Sequence, residues 1–264
     1  MATLDSVLRA LPAPPATVPQ LPVAHMTFAS RLPAIAQDGA LRTTPCPVFG
    51  SRLLYLFYGC LAYRTQDGST RDSRKAPVAF LFEPSILTTS RVRYYPFDTG
   101  AAAYGFYGTA FAPLEPDFKS RLKILGRKDP AVPSKFAHHA FGSIQNYLTL
   151  SPDGSGHAHP SPFPELCDFY STDLTPTVDE RQGRIEVQVL HKLPLPRGLI
   201  FMGFPRSLYP EFRRICKAVK ATYVPDHWCY PDRAVLRPND LAAQLAAKCD
   251  EVVERYLTLE ETAC

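Results

Sequence analysis

A chain of 264 residues with 45% hydrophobic and 11% aromatic side chains carries enough apolar surface for a sizeable core, which excludes global disorder. The formal charge of +4 tolerates a phosphate-bearing ligand or nucleic acid without demanding one, because no dense Lys/Arg run accompanies it. No stretch approaches the roughly 18 to 20 apolar residues of a bilayer span, and the N-terminus lacks a secretory signal pattern, so the expectation is a soluble cytoplasmic protein with no membrane partner. Cys46, Cys60, Cys167, Cys216, Cys229, Cys249 and Cys264 are irregularly spaced with no C-x-x-C pair. That pattern argues against a zinc ribbon or a complete disulfide framework and for reduced thiols. The 27 prolines are about twice the usual share of roughly 5%, which predicts a loop-rich fold with many short strands.

In chain order, residues 1–22 read as a proline-rich lead-in with a short helix around Leu4–Leu11. Residues 23–264 read as one α+β domain. A strand is predicted over Val23–Thr27, followed by a helix that Ser30 caps, with Leu32, Ile35 and Ala36 on its apolar face and Gly39 as its stop. Leu53–Tyr58 and Val78–Phe82 have the length and composition of strands. Residues 94–113 form a glycine- and aromatic-rich segment whose Pro96-Phe97-Asp98-Thr99-Gly100 reads as a tight turn with aromatic packing rather than a Walker loop, and such loops often border a cleft. A helical stretch is predicted over His138–Leu148 and a polar turn region over Ser151–Pro164.

The next strand alternates cleanly: Ile185, Val187 and Val189 on one face, Glu186 and Gln188 on the other. A second apolar run follows over Gly198–Phe204. Ser207 is a candidate cap for a helix carrying Leu208, Phe212, Ile215, Cys216 and Val219. The C-terminal helix opens at Pro238-Asn239-Asp240 and places Leu241, Leu245, Cys249, Val252, Val253 and Tyr256 at helical spacing.

Three of these segments carry chemistry: His25-Met26-Thr27 on a strand before a glycine-ended helix, the aromatic strand Tyr55-Leu56-Phe57-Tyr58-Gly59, and the strand glutamate of Arg184-Ile185-Glu186-Val187. Their order resembles the ADP-ribosyltransferase superfamily, in particular its His–Tyr–Glu branch and the DNA-modifying toxin and defence members. The resemblance covers residues 23–64 and 179–210. It implies a split β-sandwich with peripheral helices and NAD as co-substrate. Glu186 would steady the ribosyl cation, His25 would bind adenosine-side ribose hydroxyls and Thr27 would orient the nicotinamide amide. Tyr58 and Tyr63 would supply aromatic surfaces, and Arg64 would pair with the pyrophosphate.

Two departures from the family pattern bear on specificity. Met26 stands where many relatives have glycine. Arg184 stands where arginine-specific relatives carry a carboxylate or glutamine, which argues against an arginine acceptor. The resemblance therefore points to a nucleic acid or a non-arginine protein group as acceptor, with an antitoxin among the partners it implies. The alternatives are an NAD glycohydrolase, a catalytically silent binding module, and a transferase of an RNA 2′-phosphate. His138, His139, His157 and His159 lack acidic or cysteine ligands at metal-site spacing, and Cys60 lacks an oxyanion signature, so neither a metal centre nor a cysteine nucleophile is expected.

Overall fold

The short apolar runs resolve into eleven strands and nine helices in the computed structural model, which describes residues 2–62, 72–88, 91–172, 180–195, 198–218, 225–232 and 238–263. These counts refer to the described residues. The first half contains helix α1 (Leu4–Ala10), strand β1 (Val23–Phe28), helix α2 (Leu32–Asp38) and strands β2 (Ala40–Leu41), β3 (Thr44–Cys46), β4 (Ser51–Tyr58), β5 (Pro77–Phe82) and β6 (Val92–Tyr95). Helices α3 (Thr99–Ala103) and α4 (Phe118–Arg121), strand β7 (Ile124–Leu125), and helices α5 (Val132–Phe141), α6 (Ile144–Leu148) and α7 (Phe163–Ser171) follow. The chain closes with strands β8 (Glu186–Val189), β9 (Leu193–Pro194) and β10 (Leu199–Pro205), helix α8 (Tyr209–Ala218), strand β11 (Asp226–Tyr230) and helix α9 (Pro238–Ala263).

The fold is α+β, with a central sheet and peripheral helices. The sheet runs β11-β10-β5-β1-β4-β8-β6-β7, with β3 added to β4, and β2 and β9 form a separate ribbon. Among the described residues only β10 and β11 run parallel; the other pairs are antiparallel. Strands β5 and β10 are buried along their whole length, as continuous apolar runs should be. Helix α9 covers them at close range: a Cβ on Gly203 would lie 2.1 Å from Leu245 Cδ2, so a side chain there would displace that leucine.

Register explains where the sheet opens. β1 pairs with β5 over six residues, from Val23↔Phe82 to Phe28↔Pro77. It pairs with β4 only at Val23↔Tyr58 and Ala24↔Phe57. Beyond Ala24 the two strands part, and the sheet is continuous through two register pairs alone. Tyr147 braces the intact end by donating to the Tyr58 carbonyl (2.7 Å) and accepting from the Ile185 amide (3.1 Å).

Several local expectations shift. Ser30 is not a cap, because a 3-10 turn over Ala29–Arg31 runs straight into α2. Gly39 does end that helix, at φ 61°. The stretch His138–Leu148 is two helices, broken where Gly142 takes φ 83° and Ser143 caps the second through Asn146 N. Ser207 lies in a 3-10 turn ahead of α8, where its amide and hydroxyl donate to Asp232. Val219 lies outside the described residues, as do Tyr63 and Arg64. No described helix is long and apolar enough to cross a membrane.

Candidate active site

The parting of β1 and β4 opens a cleft of about 1000 Å3, lined by His25, Thr27, Arg31, Tyr55 and Phe57 among others. His25 stands one residue past the last β1–β4 pair. Its Nδ1 meets the Tyr55 carbonyl at 2.7 Å, taking up an oxygen that a continued ladder would have bonded. A carbonyl only accepts, so Nδ1 carries the proton and Nε2 is an acceptor. Burial chiefly, with a smaller contribution from the Arg31 charge, pushes the imidazole down to about 4 against the Tyr55 hydrogen bond. His25 is therefore neutral at pH 7, with one nitrogen available to a hydroxyl donor.

Strand alternation decides which aromatics face the cleft. On β4, Leu54, Leu56 and Tyr58 point into the core, while Tyr55 and Phe57 are half-buried and line the cleft. Tyr58 is 0% exposed and its hydroxyl accepts from the Leu21 amide at 2.8 Å. Its ring cannot offer a face to a ligand, and the β4 aromatics that reach the cleft are Tyr55 and Phe57. The Tyr55 hydroxyl is itself tethered, at 2.7 Å from Cys46 Sγ.

Glu186 lies one strand beyond the cleft wall. It is the register partner of Phe57 on one side and of Tyr95 on the other, and Gln188 is likewise flanked by Tyr55 and Arg93. Directly paired residues share a sheet face, so Glu186 and Gln188 stand on the side of Tyr55 and Phe57. Two strand spacings separate Glu186 from Ala24, roughly 10 Å. The glutamate is only 1% exposed because the start of α3 covers it. Thr99 donates to it twice, from its amide to Oε2 (3.1 Å) and from its hydroxyl to Oε1 (2.7 Å).

A chain of donors sets this carboxylate's orientation. Arg93 Nε donates to Gln188 Oε1 at 2.6 Å, which turns the Gln188 amide nitrogen toward Glu186 Oε1 and Thr99 Oγ1. Asp98 caps α3 through the Ala101 amide (2.9 Å) and ion-pairs with Arg181 (2.8 Å), fixing the covering segment from its other side. Burial pushes the Glu186 carboxyl up to about 8, the Asp98 charge adds to the rise, and the Gln188 and Thr99 hydrogen bonds oppose it.

No protein-family profile and no curated protein matches this sequence. Among solved structures, Thermus sp. 2.9 DarT in complex with ADP-ribosylated ssDNA is similar to this chain at a TM-score of 0.42 and 10% identity. The similarity covers 81% of this chain and 97% of that one. A likeness at this level assigns no role to any residue.

The chain's own geometry gathers His25, Thr27, Tyr55 and Phe57 around one cleft, with Glu186 beneath the adjoining strap. Arg31 went unnoticed in the sequence, although it follows the strand that carries His25. It is exposed, lines the cleft and has no carboxylate partner among the described residues. Thr99 was also unnoticed as a partner of Glu186; the Asp98-Thr99-Gly100 cap signature was the available signal.

Two histidines outside the cleft have polar partners nearby. His157 meets Asp168 at 2.9 Å and His139 meets the Pro12 carbonyl at 3.0 Å. Among the described residues no three His, Cys, Asp or Glu side chains converge as metal ligands. Cys60 is buried just past the end of β4.

Proposed function

We propose that this chain is an NAD-dependent ADP-ribosyltransferase acting on a nucleic acid. The observation that carries the reading is the juxtaposition at the split: a neutral His25 in a large cleft, two aromatic walls, and a buried carboxylate on the neighbouring strand of the same sheet face. The cleft reaches the upper end of the roughly 300–1000 Å3 typical of ligand sites, and its wall mixes apolar rings with arginines, as a dinucleotide requires.

Breaking the nicotinamide–ribose bond of NAD builds positive charge on the ribose. Glu186, once ionised, would stabilise that charge more strongly than it stabilises the ground state. His25 Nε2 would accept from a ribose hydroxyl, and Thr27 would orient the carboxamide. Tyr55 or Phe57 would lie against a planar ring. Arg31 would pair with the diphosphate as a planar fork. The net charge of +4 and the arginine at position 184 favour a nucleic-acid acceptor over an arginine side chain.

The test is incubation with NAD alone, with single-stranded oligonucleotides and with protein acceptors, read by mass spectrometry. An ADP-ribose adduct on the oligonucleotide supports the reading. Free ADP-ribose with no adduct makes the chain a glycohydrolase, and a protein adduct alone moves the acceptor class. Absence of nicotinamide release under every condition removes the enzymatic reading.

A pH dependence follows from the raised Glu186 carboxyl. Since the ionised form does the work, kcat/KM for NAD should rise with pH through a midpoint near 8, falling about tenfold per unit on the acid side. Stability should move the opposite way. Between the ordinary carboxylate range and about 8 the folded chain holds a proton that the unfolded chain has released, so this group's contribution is lost as pH rises through that window. Parallel rate and denaturant titrations check both slopes, and Glu186→Gln should remove both.

A further inference from the structure

A second depression, of about 680 Å3, continues from the cleft along the β2–β9 ribbon. The two share Asp38, Arg42, Thr43 and Arg52 as wall residues, so they form one continuous trough. The outer part adds Gln37 and Lys192. The ribbon's register explains the meeting of its cations. Leu41 pairs with Leu193, and Arg42 and Lys192 each extend that ladder by one residue. β4 brings Arg52 to the same wall.

The charges here do not cancel. Asp38 is already engaged by Arg42 at 2.6 Å. Arg52 is held by an Nη2 hydrogen bond to the Thr43 carbonyl (2.7 Å), which orients the guanidinium without neutralising it. Lys192 is exposed and has no ion pair or hydrogen bond among the described residues. Arg52 and Lys192 thus line one groove wall, and neither has an ion-pair partner among the described residues. Two exposed cations on the wall of one depression raise its positive potential and favour an anion there.

We propose that this outer groove is a phosphate subsite, with Arg52 and Lys192 as its principal contacts, taking a phosphate esterified to a nucleoside. The phosphate has two sources under the functional reading above, on which this inference rests: the backbone of a single-stranded acceptor entering along the ribbon, or the dinucleotide's own diphosphate extending out of the cleft. Arg42, neutralised by Asp38, orients the wall.

The experiment compares the full-length protein with the Arg52→Gln/Lys192→Gln double variant. Lys248→Gln, on α9 and in the lining of neither depression, is the control for general charge loss. Both substituted groove side chains are exposed, and circular dichroism confirms that the variant is folded. Affinity for a fluorescein-labelled single-stranded oligonucleotide is read by anisotropy across a salt series, and affinity for NAD by calorimetry.

The expected result is weakening of about tenfold in at least one arm, with the control unmoved. If the strand supplies the phosphate, its log-affinity against log-salt slope also becomes shallower by about 1.4, from two cations at roughly 0.7 each. Loss on the oligonucleotide alone assigns the subsite to the strand, and loss on NAD alone assigns it to the diphosphate. Loss on both assigns a subsite that both ligands use. No change in either arm, or an equal change in Lys248→Gln, overturns the proposal. Failure of the catalytic reading shows up separately, as NAD turnover surviving Glu186→Gln with these binding constants unaffected.

Discussion

Glu186→Gln is expected to lower NAD turnover by at least about 10²–10³-fold, the scale of removing one group aimed at transition-state charge. The neutral amide keeps the shape of the side chain and can still bond Thr99, so the protein should remain folded. It should also be more stable than the parent at alkaline pH, because the parent must ionise a carboxyl that burial and Asp98 hold up at about 8. NAD affinity should change little, since the ribosyl charge that Glu186 would meet develops only in the transition state. Single-turnover kinetics with calorimetric binding separates the two effects. Turnover within a few-fold of the parent would remove Glu186 from the mechanism.

Phe97→Ala should have the largest effect on stability and should reach the site through packing alone. The Phe97 ring is 0% exposed and sits at the centre of an aromatic cluster, with centroids 4.9 Å from Phe111, 6.0 Å from Phe118 and Phe169, and 6.3 Å from Tyr107. Truncation of such a ring costs about 3–5 kcal/mol. For a chain of this size that corresponds to a fall of roughly 6–20 °C in Tm. Phe97 directly precedes Asp98 and Thr99, so the segment that orients Glu186 loses its anchor as well. kcat should therefore fall more than the affinity for NAD, whereas Phe97→Leu should restore most of both. Thermal unfolding and a kcat-against-KM comparison of the two variants test this. A destabilised Phe97→Ala protein with unchanged kcat at low temperature would show that the strap does not position the carboxylate.

The sequence made the scaffold legible wherever one face or one residue type dominated. The apolar runs of β4, β5 and β10 and the glycine stop after α2 are local signals, and they appear as strands and a helix end. The caps assigned to Ser30 and Ser207 failed because each serine sits inside a 3-10 turn, where the chain is already wound before the helix begins. Residues 138–148 looked like one helix because apolar spacing runs across Gly142-Ser143. That pair is also a stop followed by a cap, and the backbone reads it so.

At the site, the order of His25, the aromatic strand and Glu186 was visible, while the choice among aromatics was not. Tyr58 drew attention as the tyrosine beside Gly59, yet the period-two alternation of β4 sends it to the core face with Leu54 and Leu56. The Asp98 cap marks where α3 begins, but nothing local links that turn to Glu186. Thr99 meets it across 87 positions of chain, through a turn whose packing depends on the aromatic cluster. Lys192 and Arg52 line one depression because β9 returns beside β2, a pairing that two-residue strands do not announce.

The central claim is that the opening between β1 and β4 holds the dinucleotide. Amide hydrogen exchange on the Glu186→Gln protein, with and without NAD, tests it most directly, since that variant should bind NAD without consuming it. The account predicts added protection over residues 25–31, 40–44 and 52–57, which wall the cleft, and none around the smaller depression of about 430 Å3 lined by Leu150, Tyr170 and Gly183. Protection confined to that smaller depression, or no protection anywhere at saturating NAD, would contradict it.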